Sequence, residues 1–162
     1  MSILNLIYIL TFPGVIIHEF AHQIFCYFSN VKVHKVCYFR FGNPAGYVVH
    51  EVPNSYIKML LIDVGPLFVN TLISMIAFYF GILEFNLILI WLGFSIGAHS
   101  FPSSGDADAL WKYTKRFIRK NPLILFGIPI ILLIRVVNEL RIFYLDLAYP
   151  IFLFFIVASY II

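Results

Sequence analysis

The sequence predicts an α-helical polytopic membrane protein with about five transmembrane helices, the third of them broken, and a small membrane-associated β-hairpin after the first helix. Three observations lead there. Hydrophobic residues make up 62% of the 162-residue chain and charged residues only 12%, and the mean hydropathy is +0.94, far above the soluble range. Apolar stretches near the ~20 residues that a bilayer requires alternate with short polar connections. Between the first two of them, apolar and polar residues alternate with period two, which is a strand pattern.

The first stretch runs from about Ile3 to Phe28, with Pro13-Gly14 placed to bend it and free a backbone carbonyl. Its opening, MSILNLIYIL, lacks a basic leader and a small-residue cleavage site, so the helix is expected to be retained. From Val31 to Phe41 the chain alternates, Gly42 to Gly46 is a turn cluster, and Tyr47 to Val52 is a second short strand, so a hairpin is expected near the membrane surface. The second helix spans roughly Tyr56 to Phe80 and contains Asp63, Gly65-Pro66 and Asn70. Leu87 to Ala98 is apolar but, at about 18 Å of helix, too short for a ~30 Å hydrocarbon core. It stops at the polar break His99 to Asp108, after which a helix resumes from Ala109 to Ile118. Such non-helical backbone is tolerated in a bilayer only inside protein or beside a wet cavity. Helices at about Pro122 to Leu140 and Phe143 to Ile162 close the chain. The whole reads as a single domain, with a core over residues 3–120 and a C-terminal transmembrane hairpin over 121–162.

Charge reports topology rather than partners. The formal net charge of +3 is too small and too localised for nucleic-acid binding. Lys32, Lys35, Arg40 and Lys58 fall in or beside one loop, and Lys112, Lys115, Arg116, Arg119 and Lys120 in another on the same side. Glu84, Arg135, Glu139, Arg141 and Asp146 fall on the other side. The positive-inside rule then predicts a multi-pass cell-membrane protein with its N-terminus outside. Cys26 and Cys37 are too few for a disulfide framework and read as free thiols.

Within the first apolar stretch, His18-Glu19-Phe20-Ala21-His22 spells HExxH. Two histidines four residues apart share a helix face and can hold one Zn2+, with the intervening glutamate as general base. Imidazole and carboxyl groups are costly in hydrocarbon, so function is the default reading of such a cluster. Measured from the outer boundary, His18 and His99 both lie about 21 to 22 Å deep at 1.5 Å per residue. The break is therefore the natural source of a third ligand, Asp106 being favoured and Asp108 the alternative; either would otherwise serve as a helix cap. Asn70 and His99 are candidates for hydrogen-bonding a developing oxyanion or the substrate. Asp63 reads either as a partner of a zinc-bound histidine or, by preference, as an interfacial residue near the cytoplasmic end of the second helix. A packing role is expected for Cys26.

An HExxH in the first core helix, a Gly-Pro followed by Asn in the next, and a Pro-containing break ending in Asp resemble the site-2 protease family of intramembrane zinc metalloproteases. The likeness covers roughly Ile3 to Lys120. It implies that His18, His22 and Asp106 bind zinc, that Glu19 is the catalytic acid and base, that Asn70 lies near the site, and that residues 31–52 present a β edge to an unwound substrate. Asn70 stands one residue farther from Gly65-Pro66 than in the family pattern, a rotation of about 100° on a helix. The implied activity is hydrolysis of transmembrane or membrane-associated peptides near the cytoplasmic face, in contact with the lipid bilayer. A non-proteolytic zinc-binding scaffold is the alternative, and a metal or ion transporter a third reading that lacks repeat symmetry.

Overall fold

A computed structural model of the chain describes residues 9–118, 122–140 and 145–161. They form six α-helices, α1 (Phe12–Phe28), α2 (Tyr56–Leu83), α3 (Leu87–Gly97), α4 (Ser104–Phe117), α5 (Ile128–Leu140) and α6 (Leu145–Ile161), with strands β1 (Val33–Cys37) and β2 (Tyr47–His50) between α1 and α2. The expected beginnings of the first helix at Ile3 and of the last at Phe143, and the basic residues Arg119, Lys120 and Arg141, lie outside the described residues.

The first helix is interrupted where Pro13-Gly14 lies. Residues 9 and 10 are helical, Thr11 is a turn, and α1 restarts with Pro13 in its first turn, where a missing amide hydrogen costs nothing. The freed groups are taken up by α3: Ser95 Oγ accepts from the Gly14 amide and donates to the Thr11 carbonyl, each at 3.0 Å. A Cβ at position 14 would lie 2.0 Å from the Ser95 carbonyl oxygen, so only glycine allows this approach. One face of α1 is buried along its length, through Gly14, Val15, His18, Glu19, Ala21, His22 and Cys26. The helix ends at Asn30, whose φ of 51° is one that asparagine tolerates, while the Val31 amide donates back to the Cys26 carbonyl.

The hairpin pairs β1 and β2 antiparallel, from Val33 opposite His50 to Cys37 opposite Tyr47, with an irregularity at His34. It is shorter at both ends than the predicted strands, and it does not lie off the end of α1. It runs back along the helix: Tyr38 donates its hydroxyl to Gln23 Oε1, and Phe39 stacks near Phe12 with ring centres 5.6 Å apart.

α2 is the central element. Its 28 residues span about 42 Å at 1.5 Å per residue, and among the described residues it alone is long and apolar enough to cross a membrane; α3 and α6 are apolar but shorter. Its first half packs with α4 and α5 through Met59, Ala107, Leu110, Tyr113, Ile131 and Ile134. Its second half packs with α3 and α6 through Phe78, Leu153 and Val157, where the rings of Phe78, Phe94 and Phe154 meet at centre distances of 4.9 to 5.7 Å. Two expectations change here. The predicted fourth span is a 3-10 turn, Pro122–Gly127, followed by the 13-residue α5, because Pro129 fits only the first turn of an α-helix. The predicted C-terminal hairpin divides its packing, α5 resting on α4 while α6 rests on α2 and α3.

Candidate metal centre

The middle of α2, the buried face of α1 and the break between α3 and α4 converge on one cluster. His18 Nε2 and His22 Nε2 are 3.1 Å apart, and each lies close to Asp106 Oδ2, at 3.6 and 3.5 Å. Donors about 2.0 to 2.1 Å from a tetrahedral ion stand roughly 3.4 Å from one another. The three edges therefore describe a triangle of the size one such ion requires, and the group is a potential metal site.

The backbone determines which nitrogen of each ring faces inward. His18 Nδ1 lies 2.7 Å from the His99 carbonyl oxygen and His22 Nδ1 lies 2.8 Å from the Ile62 carbonyl oxygen. A carbonyl only accepts, so both rings donate from Nδ1 and their Nε2 atoms carry lone pairs in the neutral form. Two lone pairs and a carboxylate oxygen then face one another in a buried space, an arrangement that is unfavourable without a cation between them. The donor set, two imidazoles and one carboxylate oxygen, fits zinc.

Asp106 is aimed by its own helix start. Ser103 caps α4 by accepting from the Asp106 amide, while Asp106 Oδ2 accepts from the Ser103 amide and hydroxyl, both at 2.7 Å. The cap and ligand readings are thus not exclusive, because the carboxylate that makes the cap bonds also faces both imidazoles. Asp108 goes elsewhere: 62% exposed, it accepts from Arg135 at 2.9 Å. Arg135, expected on the side opposite the basic loop, thus pairs with an acid at the start of α4.

Glu19 is 9% exposed and lies beneath the hairpin turn. A Cβ at Gly46 would fall 2.6 Å from Glu19 Cγ, so a bare backbone covers the carboxylate. Asp63, read by preference as interfacial, is 3% exposed, and its Oδ2 has no partner among the described residues; it neighbours the Ile62 carbonyl that holds His22. Asn70 is fully buried, with Nδ2 directed at backbone carbonyls. His99 meets His18 through its carbonyl, whereas its ring Nε2 lies 2.8 Å from Thr11 Oγ1. Cys26 is buried, and both cysteines are free. The carbonyls of Ile62 and His99 had no signal in the sequence, because every residue carries one.

No family model, no curated protein and no solved structure matches the chain. Function is therefore argued from the cluster's chemistry.

Proposed function

We propose that the chain is an intramembrane zinc metalloprotease of the site-2 protease kind, cleaving transmembrane or membrane-associated peptides near the cytoplasmic face of a multi-pass protein. One observation carries this reading: the two imidazoles of an HExxH helix, each committed through Nδ1 to a backbone carbonyl, turn Nε2 lone pairs toward the Asp106 carboxylate of α4. The membrane setting is supported by apolar side chains that face outward, among them Phe68 on α2, Leu87 and Ile88 on α3, Leu133 on α5, and Phe152 and Phe155 on α6. Lipid is the solvent such faces suit.

His18, His22 and Asp106 would hold the ion. Zinc, when bound, supplies Lewis acidity, polarising a scissile carbonyl and lowering the pKa of water toward ~7. Glu19 takes the proton of the attacking water and returns it to the departing amine. The Gly46 turn walls that space, and the hairpin offers main-chain groups to a peptide whose own helix has opened, since an intact helix hides its peptide bonds in internal hydrogen bonds. The basic residues Lys32, Lys35, Arg40 and Lys58 support a cytoplasmic hairpin, which leaves the N-terminus outside.

The test is cleavage of a panel of labelled single-span peptides by protein reconstituted in lipid vesicles, with metal content measured on the same samples. Glu19→Gln is expected to retain zinc and lose at least ~100-fold in rate, the lower range for a general base, while His22→Ala loses both. Undiminished cleavage by Glu19→Gln overturns the reading. Stoichiometric zinc in a wild-type protein inert toward the whole panel favours the scaffold.

A further inference from the structure

Asn70 reaches into the cluster's surroundings from the middle of α2, yet its amide is used unevenly. Nδ2 lies 2.9 Å from the His99 carbonyl oxygen, 3.3 Å from that of Ile96 and 3.4 Å from that of Gly14, while the buried Oδ1 has no partner among the described residues. Two amide hydrogens serve the three carbonyls, and the shortest contact is to His99. The same His99 oxygen accepts from His18 Nδ1 at 2.7 Å. A carbonyl oxygen has two lone pairs, and here both are taken. The oxygen sits just past the end of α3, where no helical amide continues the ladder to hold it.

We propose that Asn70 is a positioning residue that holds the His99 carbonyl in place and thereby fixes the orientation and tautomer of His18. This rests on the metal-centre reading and deepens it, assigning Asn70 to the ligand's support rather than to a developing oxyanion. The unpaired Oδ1 fits that role. The side chain is retained for its N–H groups, and a buried acceptor without a donor is tolerated in exchange. Its position on α2 sets the amide against carbonyls of α1, of α3 and of His99 beyond it.

Ser74 supplies the control. One helical turn along α2, its hydroxyl is fully buried and donates to the Gly93 carbonyl of α3 at 2.8 Å, the same kind of α2 to α3 hydrogen bond without a histidine beyond it. Zinc affinity is measured for wild type, Asn70→Leu, Asn70→Ala and Ser74→Ala. Nitrogen NMR of metal-free protein labelled at histidine, with the His18 signal assigned through His18→Gln, reports the tautomer. Asn70→Leu is expected to replace the single Nδ1–H form of His18 with a mixture and to weaken zinc about 10- to 100-fold, as loss of an outer partner does. Ser74→Ala leaves both unchanged. Asn70→Ala, which also lacks the donor, gives the same result if the leucine variant does not fold. A pure Nδ1–H signal with wild-type zinc affinity in the Asn70 variants overturns the proposal, as does an equal loss in Ser74→Ala. Absence of zinc in wild type with the tautomer shift intact would instead remove the metalloprotease reading and leave this one standing.

Discussion

His18 and His22 project from the interior of a 17-residue helix, whereas Asp106 projects from the first turn of α4, where the chain has only just resumed helical form after a break. In the histidine turn, relative position follows from the helix itself, since residues four apart share a face, and only the ring orientation needs outside help from two carbonyls. At the break, nothing regular precedes Asp106, and its direction comes from reciprocal hydrogen bonds with Ser103. The contrast is sharpest between Asp106 and Asp108. Two residues apart on one helix, they differ by about 200° in direction, and one side chain is 21% exposed against the histidines while the other is 62% exposed against Arg135. A side-chain pair on a regular helix is set by spacing, and a lone side chain at a helix start is set by its cap.

The largest effect expected from this contrast is that of Asp106→Ala, with a loss of zinc affinity beyond the ~100-fold typical of outer partners, read by metal competition on purified protein. Retention of wild-type affinity would mean that the break does not supply the third ligand. Next comes the seating of the histidine helix. Gly14→Ala forces a Cβ to within 2.0 Å of the Ser95 carbonyl oxygen, and such overpacking is expected to cost ~1 to 3 kcal/mol in thermal unfolding. An unchanged Tm would show that α1 can shift away from α3 freely. Ser103→Ala removes the cap at about 1 kcal/mol and also frees Asp106, so zinc should weaken along with stability; weakened stability alone would separate cap from ligand. Asp108→Ala is expected to do least, below ~1 kcal/mol as for other exposed pairs, with zinc content unchanged by metal analysis.

Much of this architecture was legible because apolar periodicity and backbone punctuation act locally. The short α3 and its halt before His99 follow from apolar length, whereas α2 runs on past the expected end at Phe80 to Leu83, and Asn86 caps α3 by accepting from the Ile88 and Leu89 amides. The strand alternation was also visible, but the Val31 amide is used by the end of α1 and pairing begins only at Val33. The burial of Asp63 and the pairing of Arg135 with Asp108 were not legible, because residue order along a span reports depth, not which neighbour fills the adjacent space. Asn70 was read as a hydrogen-bonding candidate near the site, and packing sets its Nδ2 against the backbone carbonyls of Gly14, Ile96 and His99, partners that residue type and spacing do not announce.

By itself the sequence determined the mostly helical chain, the apolar surface, the paired histidines with Glu19 between them, and a polar break at the matching distance along a second apolar stretch. These are properties of spacing within single elements, and a helix transmits spacing faithfully. Tertiary structure alone decided that Asp106 rather than Asp108 meets the imidazoles, that Gly46 rests on Glu19, and that the carbonyls of Ile62 and His99 orient the rings. Those outcomes depend on how separate elements pack, and a carbonyl common to every residue gains meaning only from what is brought against it.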